Sequence, residues 1–370
     1  MELRELGPDD AEQNDDLARF VFGAERRGEA PARWSGTGLG WGAFDGPRLV
    51  GAAFSQPYRQ WWGGREVSVA GIAGVAVHPD ARGRGLAGRL VRAVLERSGA
   101  AVGVLYPTAP ALYRGLGFEV VGSLDSTPVP LSALPRGRVP GVTVGQGTVQ
   151  EVAASYAVLA PQVDGLLSRT GPGHPPEDDP LTRRDLLQVA RDEAGRVIGH
   201  LVLDRARGYD SGSSQLRVWE LMAATGAAHR ALLASLGSWD TVAGTAMWRG
   251  PTGDLALEVG SRLPPPSDVK PWMLGVLDLP AAAAARGYRG RGTARFAVEG
   301  RGWLLEASDG RGGATAVASE GLPELSPRGL ALAFAGVPTG RLLRAGLLDA
   351  PVDGLDTVLA APPPELRDYF

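Results

Sequence analysis

Residues 78–90 read HPDARGRGLAGRL, directly after the apolar run VSVAGIAGVAV (67–77). Arg82, Arg84, Arg89 and, just beyond, Arg92 alternate there with Gly83, Gly85 and Gly88. This composition suits an anionic guest. Small residues leave the first N–H groups of a helix unshielded, the helix dipole adds positive charge, and arginine forks bond to phosphate oxygens. A second stretch, ALYRGLGF (111–118), sets Tyr113 four residues ahead of the Gly117–Phe118 pair. It offers either a phenol aimed at a reacting group or a half-buried packing aromatic.

Several guests compete for the glycine–arginine loop. Gly83, Gly85 and Gly88 spell GxGxxG, but a dinucleotide fold needs those glycines directly after the strand and an acidic residue ending the next strand. Here HPDAR intervenes, and the next strand closes on Tyr106–Pro107. Nucleic acid fits poorly, because the arginines lack interleaved aromatics and the chain carries a net charge of −3. The plain alternative is a surface arginine helix opened by a glycine turn. The pattern Arg82-x-x-Gly85-x-Ala87 fits a pyrophosphate best, cradled by the backbone of Gly83, Gly85, Leu86 and Ala87 with Arg82 and Arg84 beside it. The strand before the loop offers backbone groups at Val75, Ala76 and Val77 to a ligand arm running alongside. A pyrophosphate with a peptide-like arm describes coenzyme A.

Strands and a helix must position these groups. Leu49–Gln56 reads as a strand, WWGGR (61–65) as a hairpin turn and Val67–Val77 as the next strand. Leu86, Leu90, Val91, Val94 and Leu95 recur at helical spacing over 85–98. Ala101–Tyr106 is a short strand, Ala109–Leu116 a short helix, and Phe118–Gly122 a returning strand. Past a Pro-rich seam at 130–141, residues 151–159 and 180–192 look helical and 196–203 and 217–221 look like strands. Residues 223–236 then read as helix and 241–249 as strand. That order repeats the first unit. A second seam, RLPPPSD (262–268), precedes strand-like stretches at 295–298, 302–306 and 314–318 and two short helices near 326–335 and 340–345. The expected class is α/β (α+β), with units at 1–140, 141–266 and 267–370.

RxxGxA followed by a tyrosine ahead of a GF pair resembles the GCN5-related N-acetyltransferase superfamily. The length, the repeated middle order and the tail look like its enhanced intracellular survival (Eis) branch. There an acetyltransferase domain precedes a degenerate second copy and a sterol-carrier-like domain. PWMLGVLDLPAAAAARGYRG (271–290) is similar to the opening of that third domain. The resemblance implies acetyl-CoA as acyl donor, no metal, and direct transfer to a primary amine in a ternary complex. It makes Tyr113 the acid, since a phenol of pKa ~10 suits a thiolate of ~8.5. It makes the α-carboxylate of Phe370 the base, although a reference pKa of ~3.5 requires burial or a water relay to help. A strand amide near Val75 becomes the oxyanion donor, and Thr108 takes the place of a small residue near the cofactor. Gly83 stands where relatives often carry a third arginine. Gly74 is smaller than the bulky residue common there and widens the acyl pocket.

The acceptor is less legible. Phe20–Trp34 is the expected cover of the acceptor site. In it Glu25 either binds an ammonium or is a solvated carboxylate, and Trp34 is either an apolar wall or a packing aromatic. Aminoglycosides, polyamines and related amines, peptidyl lysine among them, are what the resemblance implies. The acids 177–179 read as helix capping. A non-catalytic carrier or sensor that merely holds coenzyme A is the rival from another class.

Composition bounds the rest. Cysteine is absent, which removes disulfides, a thiol nucleophile and thiolate metal sites. The four histidines lie far apart in sequence. Lys270 is the only lysine among 38 basic residues, so single arginines carry little information. No long apolar run or leader pattern is visible, and a cytoplasmic protein with no membrane or nucleic-acid partner is expected. The family implies a homo-oligomer, a dimer or hexamer.

Overall fold

Among the described residues, twelve strands drawn from all three stretches of the chain share one sheet. The computed structural model describes residues 1–23, 38–174, 179–206, 208, 210 and 212–370. The first unit supplies β1 (Glu2–Glu5), α1 (Ala11–Phe22), β2 (Leu39–Asp45), β3 (Arg48–Trp62), β4 (Arg65–Val77), α2 (Leu86–Ser98), β5 (Val102–Leu105), α3 (Pro110–Arg114) and β6 (Glu119–Pro130). In the second lie β7 (Thr143–Gln146), α4 (Val149–Leu159), β8 (Leu186–Arg191), β9 (Val197–Arg205), β10 (Gln215–Ala223), α5 (Gly226–Gly237), β11 (Thr245–Arg249) and α6 (Gly253–Val259). β12 (Asp268–Val276) follows, then α7 (Leu279–Ala285), β13 (Gly292–Val298), β14 (Arg301–Ser308), β15 (Arg311–Val317), α8 (Pro327–Phe334), α9 (Thr339–Arg344) and α10 (Leu355–Val358). This is the α/β (α+β) class expected from the sequence.

The large sheet runs β1-β2-β3-β4-β5-β12-β6-β11-β10-β9-β8-β7, and β13-β14-β15 form a separate antiparallel sheet. β12 belongs to the stretch read as the opening of the C-terminal unit. It lies antiparallel between β5 and β6 and so welds the units together. The pairing pattern of the first unit recurs in the second. β3 and β4 are antiparallel and β4 pairs β5 in parallel; likewise β9 and β10 are antiparallel and β10 pairs β11 in parallel.

Residues 180–192 are a correction to the sequence reading. They form one 3-10 turn of helix at Pro180–Arg183 and then strand β8, not an α-helix. Leu187 and Val189 pack against Val152 and Val202, while Leu186 and Ala190 pack on the opposite face with Leu201 and Leu203. Apolar partners on both faces impose a period of two, which overrides the helix-forming composition of LLQVARDE.

α2 covers one face of the first unit. Its Leu86, Leu90, Val91 and Val94 are buried against Ala70, Ile72, Leu105 and Phe118. Each such burial contributes about 1.5–3 kcal/mol. The opposite face is covered by α1 at one end and by α7, α8 and the C-terminal tail at the other.

Candidate active site

β4 pairs with β5 only over Val69–Gly71 and Val102–Val104. Beyond that point β4 continues to Val77 with no partner on that side among the described residues, so the two parallel strands part into a notch. A bulge shapes the free edge: Ala52 faces Ala76 and Phe54 faces Ala73, so β4 carries one extra residue. Gly74 sits in it at φ +59°, in the left-handed region that glycine adopts without strain. The bulge reverses the parity of the strand. Ala70 and Ile72 face α2 before it, and Val75 and Val77 do so after it. Backbone groups between Ala73 and Ala76 therefore leave the ladder, which frees an amide near Val75 for a guest in the notch.

The small size of Gly74 thus has a backbone cause. Its Cβ position lies 3.0 Å from the Phe54 ring, so a larger residue would clash as well as strain the turn.

The loop after β4 leads straight into α2. Arg82 donates from Nε to the Val77 carbonyl at 3.3 Å, while Arg82, Gly83, Arg84 and Gly85 are exposed. Gly85 is the residue before the helix, at φ +68°, and gives no side-chain cap. A Cβ at Gly83 or Gly85 would meet nothing within 4 Å. The first-turn N–H groups consequently open onto clear space beside two guanidinium groups, a cradle that suits a diphosphate. The second unit does the reverse at the equivalent place: Thr225 Oγ caps the Ala228 N–H at 3.1 Å, closing α5 with its own side chain. Leu86 and Ala76 are buried through their side chains and can offer only backbone; Ala87 is half-buried and Thr108 exposed.

Tyr113 lies in α3, 5 % exposed, in the cluster that also holds Ala70, Ile72 and Leu105 around the parting point. Its ring stands edge-on to Phe118 at 6.4 Å. Burial pushes its phenol above the ordinary value, so it stays protonated. Phe370 approaches from the opposite face of the sheet. Its ring is 3.1 Å from the Cβ position of Gly71 and 4.9 Å from the Tyr58 ring. The acid and base candidates therefore flank one place on β4 from two sides.

The tail is threaded and pinned. Leu366 is fully buried, the Glu365 N–H donates to the Asp164 carbonyl at 2.8 Å, and Tyr106 Oη lies 3.0 Å and 3.2 Å from the carbonyls of Leu366 and Asp368. Arg367 bonds Glu365 at 2.6 Å, and Tyr369 stacks on Tyr106 at 4.7 Å. Arg169 reaches Asp368 Oδ1 at 3.1 Å and also forks onto Glu220 at 2.8 and 3.2 Å. Glu220 is in turn 2.9 Å from His200 Nε2, whose Nδ1 lies 2.8 Å from Ser155 Oγ. Burial opposes charge on Glu220, but Arg169 and His200 outweigh it and hold the carboxyl far below its usual range. Burial also opposes charge on Arg169, and Asp368 with Glu220 restores it.

The end of the tail lines a cavity of about 570 Å³ with Gln56, Tyr58, Ala73, Tyr156 and His174. Burial, aided by the Asp368 carboxylate, pushes the Tyr58 phenol up to about 12. Burial pulls His174 down, leaving a neutral ring 4.9 Å from Tyr58. The sequence reading missed Tyr58, Arg169, His174, Glu220 and Asp368 at this site. Only Asp368, two residues before the end of a tail already singled out, left a signal. Glu25 and Trp34 lie outside the described residues, as do Glu177 and Asp178; Asp179 caps the Leu181 N–H at 2.9 Å.

The model of the acetyltransferase (GNAT) domain matches residues 2–121. No curated protein matches the sequence. Among solved structures, a GCN5-related N-acetyltransferase from Kribbella flavida is 30% identical over 100% of this chain and 98% of its own, with a TM-score of 0.84. A GCN5-related N-acetyltransferase from Anabaena variabilis superposes with a TM-score of 0.87 at 21% identity, covering 100% of both chains. Eis1 from Mycobacterium abscessus shares the fold at a TM-score of 0.78 and 19% identity, again over 100% of both chains. An open glycine–arginine cradle, a parted strand pair and a whole-length relative at 30% identity converge on one statement: this chain belongs to the GCN5-related N-acetyltransferase family.

Proposed function

We propose that this transferase moves an acetyl group from acetyl-CoA directly to the primary amine of a small cationic acceptor. The observation that carries the reading is the approach of Tyr113 and Phe370 to the β4–β5 parting point from opposite faces. Arg82 and Arg84, with the backbone of Gly83, Gly85, Leu86 and Ala87, hold the diphosphate; Val75, Ala76 and Val77 hold the adjoining arm, and Thr108 stands beside them. When bound, acetyl-CoA supplies the carbonyl carbon to which the amine nitrogen bonds as the carbon–sulfur bond breaks. The Phe370 carboxylate draws in the ammonium and takes its proton. The Val75 amide donates to the carbonyl oxygen as charge grows on it. Tyr113, kept neutral by burial, returns a proton to the sulfur. Gly74 keeps the bulge that presents the amide.

Aminoglycosides, polyamines and related amines, the acceptors that the family resemblance implies, share the ammonium this arrangement attracts. The C-terminal unit, read as sterol-carrier-like, contributes the tail, and we assign it no ligand of its own. Membership in a family of transferases favours catalysis over the carrier reading. Thiol release from acetyl-CoA with a panel of amines tests the reaction. Turnover that falls in Tyr113→Phe and on removal of Phe370 is the expected result. Tight CoA binding with no thiol release for any amine would defeat it.

A further inference from the structure

Beside the tail a second cavity of about 380 Å³ is lined by Arg169, Arg184, Arg249, Arg367, Glu220, Asp368 and aromatic residues. Three of its four arginines have carboxylate partners. Arg169 bonds Glu220 and Asp368, Arg184 bonds Asp204 at 2.8 Å, and Arg367 bonds Glu365. Among the described residues, Arg249 has no carboxylate in ion-pair contact. It stacks on Trp219 at 4.8 Å, with Arg184 at 4.0 Å and Arg217 at 5.5 Å from the same ring. Trp219 is the extra residue of a bulge in β10, where Val218 faces Leu203 and Glu220 already faces Val202. That bulge corresponds in pairing pattern to the one at Gly74. Burial lowers the pKa of Arg249, with Arg184 and Arg217 opposing its charge further and Tyr106 and Asp368 supporting it. A half-buried guanidinium among two other guanidinium groups is electrostatically unfinished.

The same cavity holds the complementary defect. Asp368 uses Oδ1 on Arg169, while its buried Oδ2 has no hydrogen-bond partner among the described residues. A buried carboxylate oxygen without a donor is left with its desolvation uncompensated, which a ligand N–H would recover. We propose, on the footing of the acetyl-transfer step above and replacing its purely cationic acceptor by one that also carries an anion, that the acceptor is a zwitterion of the amino-acid class. Its ammonium lies by Asp368 Oδ2 and the Phe370 carboxylate, and its carboxylate lies on Arg249 over Trp219. A cavity facing a dication would need acids where this one presents Arg249.

The test compares ω-amino acids with diamines of the same chain length, in thiol release and in calorimetric titration into the CoA-saturated protein. The expected result is a kcat/KM about tenfold higher for the amino acids, with measurable heat of binding. Arg249→Gln is expected to cut that ratio about tenfold and weaken the binding, and Arg249→Lys to keep most of both. Diamines preferred by the wild type, or a ratio unmoved by Arg249→Gln, would overturn the acceptor assignment and leave acetyl transfer standing. Transfer to neither class would overturn both. If Arg249→Gln fails to fold, the wild-type series decides alone.

Discussion

Arg169 donates from Nε to Asp368 Oδ1 at 3.1 Å, joining the second unit to a residue two places from the C-terminus. Arg169 also forks onto Glu220, so one half-buried guanidinium ties β10 to the tail. Arg169→Gln leaves Glu220 buried without its main counter-charge. The expected loss is about 3 kcal/mol in urea unfolding, with transfer slowed because the tail is no longer fixed. Arg169→Lys should restore part of the stability and less of the rate, since an ammonium cannot span both carboxylates as a fork does.

The role proposed for the Phe370 α-carboxylate gives a prediction about tags at either end. A C-terminal tag converts that carboxylate to an amide and should lower turnover by about 10²-fold or more. An N-terminal tag of the same length should leave turnover near that of the untagged protein. Equal rates for the two tagged forms would remove the carboxylate from the mechanism.

Gly74→Val should strain the bulge twice, through a left-handed φ of +59° and a Phe54 ring 3.0 Å from the added Cβ. The strained backbone costs about 1–3 kcal/mol if it holds and removes the oriented amide if it relaxes. Stability from thermal unfolding and kcat from thiol release separate these outcomes, and both should fall. Wild-type kcat in this variant would mean that the bulge has no part in catalysis.

Tyr113 carries the pH prediction. Burial raises its pKa, so the phenol remains a proton donor through the range in which an ordinary tyrosine, at ~10, would ionise. The wild-type profile should therefore keep its alkaline limb above ~10 until the fold itself fails. Tyr113→Phe should lower kcat about 10²–10⁴-fold across the whole profile. An alkaline limb well below ~10 that vanishes in Tyr113→Phe would contradict the raised pKa, and wild-type kcat in that variant would contradict the acid assignment.

Local periodicity carried most of the first unit. Leu86, Leu90, Val91 and Val94 announce α2, and the strand before it is bounded by the glycine–arginine loop. Residues 180–192 misled because leucine, glutamine, alanine and arginine favour a helix until α4 and α5 press on the two faces of the strand they form beside β9. The insertion of β12 between β5 and β6 had no local sign: the sequence reading names no strand at Asp268–Val276, and local pattern cannot specify a strand's neighbours. At the site, the loop and Tyr113 were legible as motifs, and Phe370 through its terminal place. Arg169, Glu220, His200 and Arg249 were not, because in an arginine-rich chain partners 51 residues apart on different elements look like any others.

The central claim is that the open turn at the start of α2 cradles the diphosphate of coenzyme A. Calorimetric titration of coenzyme A into the wild type and into the Arg82→Glu, Arg84→Glu double variant tests it most directly. One site per chain in the wild type, with affinity lost by about 10²-fold or more in the double variant, is the predicted result. Equal affinity in the two proteins, or no heat in the wild type, would contradict it.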